Sequence, residues 1–371
     1  MVTLPNVPRL SLVPIEKIPG GAAFASLSRR VRTLIVAAVA FLVLFILAVT
    51  MPVPYVVLSP GPTYNTLGTD ERGQSIIGID GRKPIDRKGH LNLTTVSVSG
   101  RKVTAVDALA GWLSSDEVVV PTSSVYPPGA SEQQTNEKNA QDFQQSQDSA
   151  TAAALCELGY PKGFGVIDVV ASGPSSKALR AGDQFVSVAG KPVDSRSALD
   201  AVLTASKPGA NVPIVVKRGA KTASVSVRLG TPPAQAKKNG GYLGIVPDNT
   251  CLAPFTVDLG LGNQIGGPSA GLMFALGIMD KVGPTDLAGG RFIAGTGEID
   301  AKGHVGAIGG IALKMIAARE KGATVFLTPA ANCGDARKAT PSGLRLVKVA
   351  TLHGAVQDLL KIQKGESTTG C

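Results

Sequence analysis

The stretch Gln264-Ile-Gly-Gly-Pro-Ser269-Ala-Gly-Leu-Met-Phe-Ala-Leu-Gly-Ile-Met279 lies within a run that carries no charge from Asp258 to Asp280. Its apolar positions 272, 273, 276 and 279 recur at helical spacing, and Pro268 suits a first turn, so the pattern predicts a buried helix beginning at Ser269. Unpaired N–H groups and the positive end of the helix dipole converge at such a start. An oxyanion forming beside Ser269 would find donors there, and loss of one such donor typically costs about 2.7–4 kcal/mol in the transition state. Gly267, Pro268 and Ala270 would flank a substrate backbone, with glycines on both sides of the serine allowing close approach. Taken alone, the serine reads first as the cap of a core helix.

A second stretch changes that balance. Gly295-Thr-Gly-Glu-Ile-Asp300 leads through Ala301-Lys-Gly303 into His304-Val-Gly-Ala-Ile-Gly-Gly-Ile-Ala-Leu-Lys314-Met-Ile-Ala-Ala318. Lys314 is the one Lys, Arg, Asp or Glu between Lys302 and Arg319, and on a helix from Ile311 it shares a face with Ile311 and Ala318. A lysine on an apolar face either snorkels to water or loses its charge more readily. Bringing its pKa from about 10.4 toward 7–8 corresponds to roughly 4 kcal/mol and makes it a general base near neutrality.

The remaining 300 or so residues set the context. The chain has 371 residues, enough for two or three small domains, and its net charge of +10 is scattered without a zinc-finger, RRM or basic-helix pattern. Nucleic acid is not expected as a partner, and no metal site or cofactor is expected. From Arg32 to Asp70 no charged residue intervenes, and Leu34 to Thr50 is almost wholly apolar. A helix from Val31 to Thr50 would span roughly 30 Å, the thickness of a bilayer core, before Pro52 and Pro54. Arg29, Arg30 and Arg32 place its N-terminal side in the cytoplasm and the bulk of the chain outside. The competing reading is a cleaved signal peptide, whose apolar region is normally shorter. Cys156, Cys251, Cys333 and Cys371 lack metal or redox spacing; four cysteines leave the pairing open, and Cys251 with Cys333 is the first expectation for an exported protein.

Residues 55–125 alternate short apolar runs with Gly, Pro and Asn, the mark of strands and turns, whereas Glu132 to Leu158 reads as one long helix closed by Gly159, its polar side facing solvent. Between residues 161 and 230 the cues run strand, turn, strand, helix, strand, strand. Gly173-Pro-Ser-Ser-Lys-Ala-Leu-Arg-Ala-Gly-Asp183, the Gly190-Lys-Pro-Val193 turn and the helix from Ser195 to Leu203 resemble a PDZ domain of the bacterial protease-associated kind. That resemblance implies a groove in which a peptide adds a strand to a sheet edge, with Phe164, Gly165 and Val166 in the loop and edge that receive it. A closed groove, with the module acting as a spacer, is the alternative.

The segments around Ser269 and Lys314 together resemble the proteolytic domain of Lon proteases over about residues 241–363. The resemblance implies that Ser269 is the nucleophile, Lys314 its base, and Thr296 the residue that hydrogen-bonds the lysine. ATP-driven members have an acidic residue three positions before the serine, whereas Gly266 stands here, and the sequence holds no Walker motif. With anchor, PDZ-like module and dyad in that order, the chain is similar to YlbL-type secreted Lon-like proteases. The expected fold class is therefore α+β multidomain: a basic tail (1–32), a transmembrane helix (33–52), a β-rich segment with the long helix (53–160), a PDZ-like module (161–230), a linker (231–240), a Lon-type α/β proteolytic domain (241–363) and a tail (364–371). The expected activity is ATP-independent endopeptidase cleavage of unfolded or exported proteins at the cell membrane.

Two rivals stand beside it. Gly267-Pro-Ser-Ala-Gly271 also fits the G-x-S-x-G nucleophile elbow, which needs a strand leading into Ser269 and could take His353 as base, leaving Lys314 without a role. The other is an inactive membrane scaffold that binds a partner through the PDZ-like groove.

Overall fold

A computed structural model describes residues 28–100, 102–233, 240–261 and 265–371. The expected basic tail up to residue 27, and the expected linker at 234–239, lie outside the described residues. The apolar N-terminal run forms α1 (Arg29–Thr50), longer by two residues than the Val31 start expected, because Ser28 accepts a hydrogen bond from the Val31 N–H and so caps the helix before its arginines. With 22 residues and a mean hydropathy of 2.9 over its most apolar 18-residue window, it is long and apolar enough to cross a bilayer.

The elements that follow in chain order are β1 (Tyr55–Asn65), β2 (Ile77–Asp80), β3 (His90–Val98), α2 (Ala105–Leu113), β4 (Val118–Pro121) and α3 (Glu132–Glu157). Then come β5 (Lys162–Val169), β6 (Gln184–Val188), β7 (Lys191–Pro192), α4 (Arg196–Ala205), β8 (Asn211–Arg218), β9 (Lys221–Arg228), β10 (Ile245–Cys251) and β11 (Thr256–Leu259). The last third supplies α5 (Gly271–Val282), β12 (Phe292–Gly295), β13 (Glu298–Ile299), β14 (Val305–Gly306), α6 (Ile311–Glu320), β15 (Val325–Pro329), α7 (Cys333–Lys338), β16 (Arg345–Val349) and α8 (Leu352–Gln363). Helices and strands mix throughout, in an α+β chain of several modules.

One sheet runs β16-β15-β12-β3-β1-β4, so β1, β3 and β4, early in the chain, join strands from its last third. The β3–β12, β12–β15 and β15–β16 pairs are parallel, the others antiparallel. Parallel strands need cover on both faces, and alternate side chains provide it. Ile293 and Leu327 join the core around α5, whereas Ala294 and Phe326 join the separate cluster of Ile311, Met315 and Ala318 from α6. The helix after Ser269 and the helix bearing Lys314 therefore lie on opposite faces of the sheet.

A second six-stranded sheet runs β10-β5-β6-β8-β9, with β7 paired to β6, around its own core of Val166, Phe185, Val188, Leu199, Ile214 and Val227, and β2–β11 and β13–β14 form two-stranded pairs. Here the structure departs from the sequence reading. Residues 245–251, grouped by that reading with the proteolytic segment, pair antiparallel with β5 from Ile245↔Val169 to Cys251↔Lys162. Proximity to Ser269 in sequence misplaced them; backbone pairing across some 80 residues decided their sheet.

Cysteine pairing differs as well. Cys251 bonds Cys156 at the end of α3, and Cys333 bonds Cys371, so the expected Cys251–Cys333 bridge is replaced by two others. The register of β10 on β5 carries Cys251 to the side of α3, a placement that residue spacing cannot reveal.

Within the second sheet the fully buried Asp183 takes a two-pronged contact from Arg218, with Nε donating at 2.7 Å and Nη2 at 2.6 Å. Hydrogen-bonded geometry of this kind offsets the cost of burying the carboxylate. Arg218→Ala should lower the stability of this sheet by about 3–5 kcal/mol through the orphaned charge, read as lost hydrogen-exchange protection of β8 and β9 amides while those of β12 and β15 are unchanged.

Candidate active site

The chain turns through Gly267 to Ala270 before α5 starts at Gly271, so the helix begins two residues after Ser269 rather than at it. Gly267, at φ 82°, makes a turn that an L side chain would strain, and its N–H donates to Asn139 O of α3 at 2.9 Å. The next-but-one carbonyl, of Pro268, accepts from Ser146 Oγ of the same helix at 2.7 Å. Gly271 lets α3 come this close: a Cβ there would meet Ser146 Oγ at 2.7 Å.

From the other side, the corner between β12 and β13 holds the serine. Gly297 N–H and Thr296 Oγ1 both donate to Ser269 O, at 2.8 and 3.0 Å, and Leu272 N–H returns a bond to Gly297 O. No acceptor for the Ser269 or Ala270 N–H occurs among the described residues, which leaves two donors without a protein partner at the positive end of α5.

Lys314, on the first turn of α6 and 3% exposed, extends Nζ to 2.7 Å from Ser269 Oγ and 3.0 Å from Thr296 Oγ1. Because the one hydrogen of Thr296 is directed to Ser269 O, its oxygen can only accept from the lysine. A neutral amine held in this way keeps its lone pair for the Ser269 hydroxyl. Burial lowers the lysine pKa from 10.5 to about 8, partly opposed by the carboxylate of Glu298. Glu298 itself is raised, first by desolvation and then by Asp142, with Lys314 acting against both.

Beside the Ser269 turn opens a cleft of about 490 Å³ lined by Asp142, Ser146, Ile167, Pro268, Glu298 and His304. Ile167 belongs to β5, so the second sheet forms part of the wall. The expected solvent face of the long helix is in part a packed face: Ser146, Gln147 and Ser149 are buried, Ser146 Oγ donating to Pro268 O and Gln147 Nε2 to Leu259 O of β11. Small polar residues interleaved with Ala150, Ala153 and Ala154 were the signal for a helix side that must fit closely and still hydrogen-bond.

The structure does not bring Phe164, Gly165 and Val166 to an open edge. They lie in β5, between β10 and β6, with Val166 fully buried, so the expected peptide-receiving edge is taken by the chain's own residues 245–251. The edges of this sheet are β10 and β9, and beside β10 runs a groove of about 320 Å³ lined by Leu199 and Leu203 of α4 with Tyr242, Leu243, Gly244 and Ile245. His353 is on α8, its ring held by Glu157 at 2.7 Å, and no strand leads into Ser269 among the described residues.

Comparison with known proteins gives two family matches, whose bounds differ from those of the sheets. Residues 264–362 match the family model of the Lon protease (S16) C-terminal proteolytic domain, and residues 135–229 match that of a PDZ domain. The chain therefore carries a serine peptidase domain of the Lon class together with a PDZ recognition domain. Among curated proteins it is similar to a probable periplasmic serine endoprotease, DegP-like, of Halomonas elongata, at 35% identity over 88 residues that cover 24% of this chain and 19% of that protein. The chain thus matches about a fifth of that relative's length. Among solved structures it is similar to the PDZ domains of SdrC-like proteins from Listeria monocytogenes and Listeria innocua, at 24% and 28% identity. Each covers 23% of this chain, with 86% and 92% of the respective domains covered and a TM-score of 0.21.

If Lys314 acts as a base, only its neutral form is competent, and that form gains as pH rises through the lowered pKa. At pH 7 about a tenth would be neutral, so kcat/KM should rise about tenfold per pH unit up to about 8 and then level off. Glu298→Gln removes a charge that favours the cation, and the rising limb should move to lower pH; a limb unmoved by this change would show that Glu298 does not act on Lys314.

Proposed function

We propose that the chain is a membrane-anchored serine endopeptidase that needs no nucleotide and cleaves unfolded or exported polypeptides with a Ser269–Lys314 dyad. The observation that carries this reading is the 2.7 Å contact between a half-buried hydroxyl and a buried amine whose pKa is held near 8. Lys314 takes the Ser269 proton as Oγ attacks the scissile carbonyl, and the Ser269 and Ala270 N–H groups receive the oxyanion. The protonated lysine then gives its proton to the leaving amine, and water attacks the acyl-enzyme with Lys314 again as base. Thr296 holds the amine in line. The segments flanking the PDZ module, 53–160 and 252–363, together form the protease body, with 161–251 inserted between them.

The PDZ groove that serves this enzyme is the one along β10 and α4, in place of the edge first expected at β5. A peptide pairing with the free side of β10 would place its C-terminal carboxylate near the Leu243 and Gly244 N–H groups, for which no acceptor occurs among the described residues. The helix α1 would anchor the chain with its arginines on the cytoplasmic side and the protease outside.

A purified chain incubated with an unfolded protein and no nucleotide tests the assignment. Ser269→Ala and Lys314→Ala should each reduce cleavage at least a thousandfold, while His353→Ala leaves it unchanged and peptide binding survives in all three. Inertness of the wild-type chain at every pH, with peptide binding retained, would instead favour a binding scaffold.

A further inference from the structure

Outside α1, four large apolar side chains are more than half exposed among the described residues: Met51 (56%), Leu109 (54%), Trp112 (61%) and Leu113 (81%). All four lie together. Met51 follows α1 directly, and the other three belong to α2, whose Val106 is also exposed. Apolar side chains scattered singly over a surface are ordinary, but a contiguous group of the largest ones marks a contact.

Contacts at both ends tie α2 to the point where α1 stops. At its start, Thr104, the N-cap, bridges Pro52, and Val53 N–H donates to Val103 O at 2.8 Å. Toward its end, the Trp112 ring meets the Tyr55 ring edge-on at 5.8 Å between centroids. Tyr55 is four residues beyond Met51, a span of at most about 14 Å. A helix of nine residues pinned at both ends in this way runs across the exit of α1 rather than away from it. Its one charged side chain, Asp107, is consumed in the capping box with Thr104.

We propose that α2 is an interfacial helix, with Leu109, Trp112 and Leu113 seated in the headgroup region of the bilayer leaflet from which α1 emerges. This rests on the reading of α1 as a membrane anchor. The occupant is lipid because the patch is continuous with the spanning segment, and because it presents an indole and a phenol beside aliphatic side chains at the level where such rings concentrate. Such a contact adds a second attachment to the single span and fixes which side of the protease body faces the membrane.

Trp112 is the sole tryptophan of the chain, so the full-length protein in lipid vesicles reports on this site alone. Its emission should be shifted to the blue, protected from acrylamide, and quenched by lipids brominated on the acyl chain. In the Leu109→Glu, Leu113→Glu double variant the bromine quenching should be lost while the chain still resists alkaline extraction. An alkali-resistant wild-type chain whose Trp112 stays open to acrylamide would overturn the proposal and leave the anchor standing. A blue-shifted Trp112 that bromine does not quench would mean that protein covers the patch, which also overturns it. Release of the wild-type chain by alkali would sink the anchor reading itself, and the interfacial helix with it.

Discussion

The arrangement depends on keeping one amine out of water. An ammonium group buried without an anion is costly, and the cost falls as the group gives up its proton. Lys314 is placed where that relief is available: its Nζ has two hydroxyl oxygens within 3.0 Å and no carboxylate in contact among the described residues. The contact is possible because the turn before α5 and the first turn of α6 approach the β12–β13 corner from opposite faces of one sheet. The parallel pairing of β12 with β3 and β15 brings a strand of the early chain into the same structure.

The long helix α3 links this centre to the recognition module. Within two consecutive residues, Gln145 donates to the Asp168 carboxylate on β5 and Ser146 donates to Pro268 O in the nucleophile turn. The end of the helix is tied to β10 by the Cys156–Cys251 disulfide, and Asp248 on β10 pairs with Lys302 in the hairpin of β13 and β14. The ion pair is half-exposed and individually weak. The helix contacts are different in kind, because small side chains leave Ser146 no slack against Gly271. The sheet edged by β10 and the turn with the serine therefore share supports, and the module cannot be treated as a bead on a flexible tether.

Local chemistry made the main features readable from sequence. An uncharged run ending in helical periodicity marks α5, a solitary lysine marks the first turn of α6, and Gly159 at φ 78° closes α3 as its position suggests. What escaped was non-local. The placement of β10 depends on pairing across the whole module, and with it went the choice of peptide edge and of cysteine partners. Ser146 and Asn139 escaped because their partners are main-chain atoms more than 100 residues away, and a main-chain acceptor leaves no trace in residue identity.

The electrostatics of the cleft follow from two opposed effects. The chain as a whole is basic, yet Asp142, Asp168, Glu298 and Asp300 line the cleft beside the dyad. Glu298 favours the ammonium form of Lys314 through space, while burial disfavours it, and the result near 8 shows that burial is the larger effect. In the proposed mechanism, a drier site without Glu298 would release the amine at still lower pH but would lose a charge that stabilises the ammonium formed as Ser269 gives up its proton. The carboxylate would thus sacrifice some base at neutrality to make that proton transfer easier. The same transfer would run in reverse when a leaving amine needs a proton, so an intermediate lysine pKa would serve both halves of such a cycle better than either extreme.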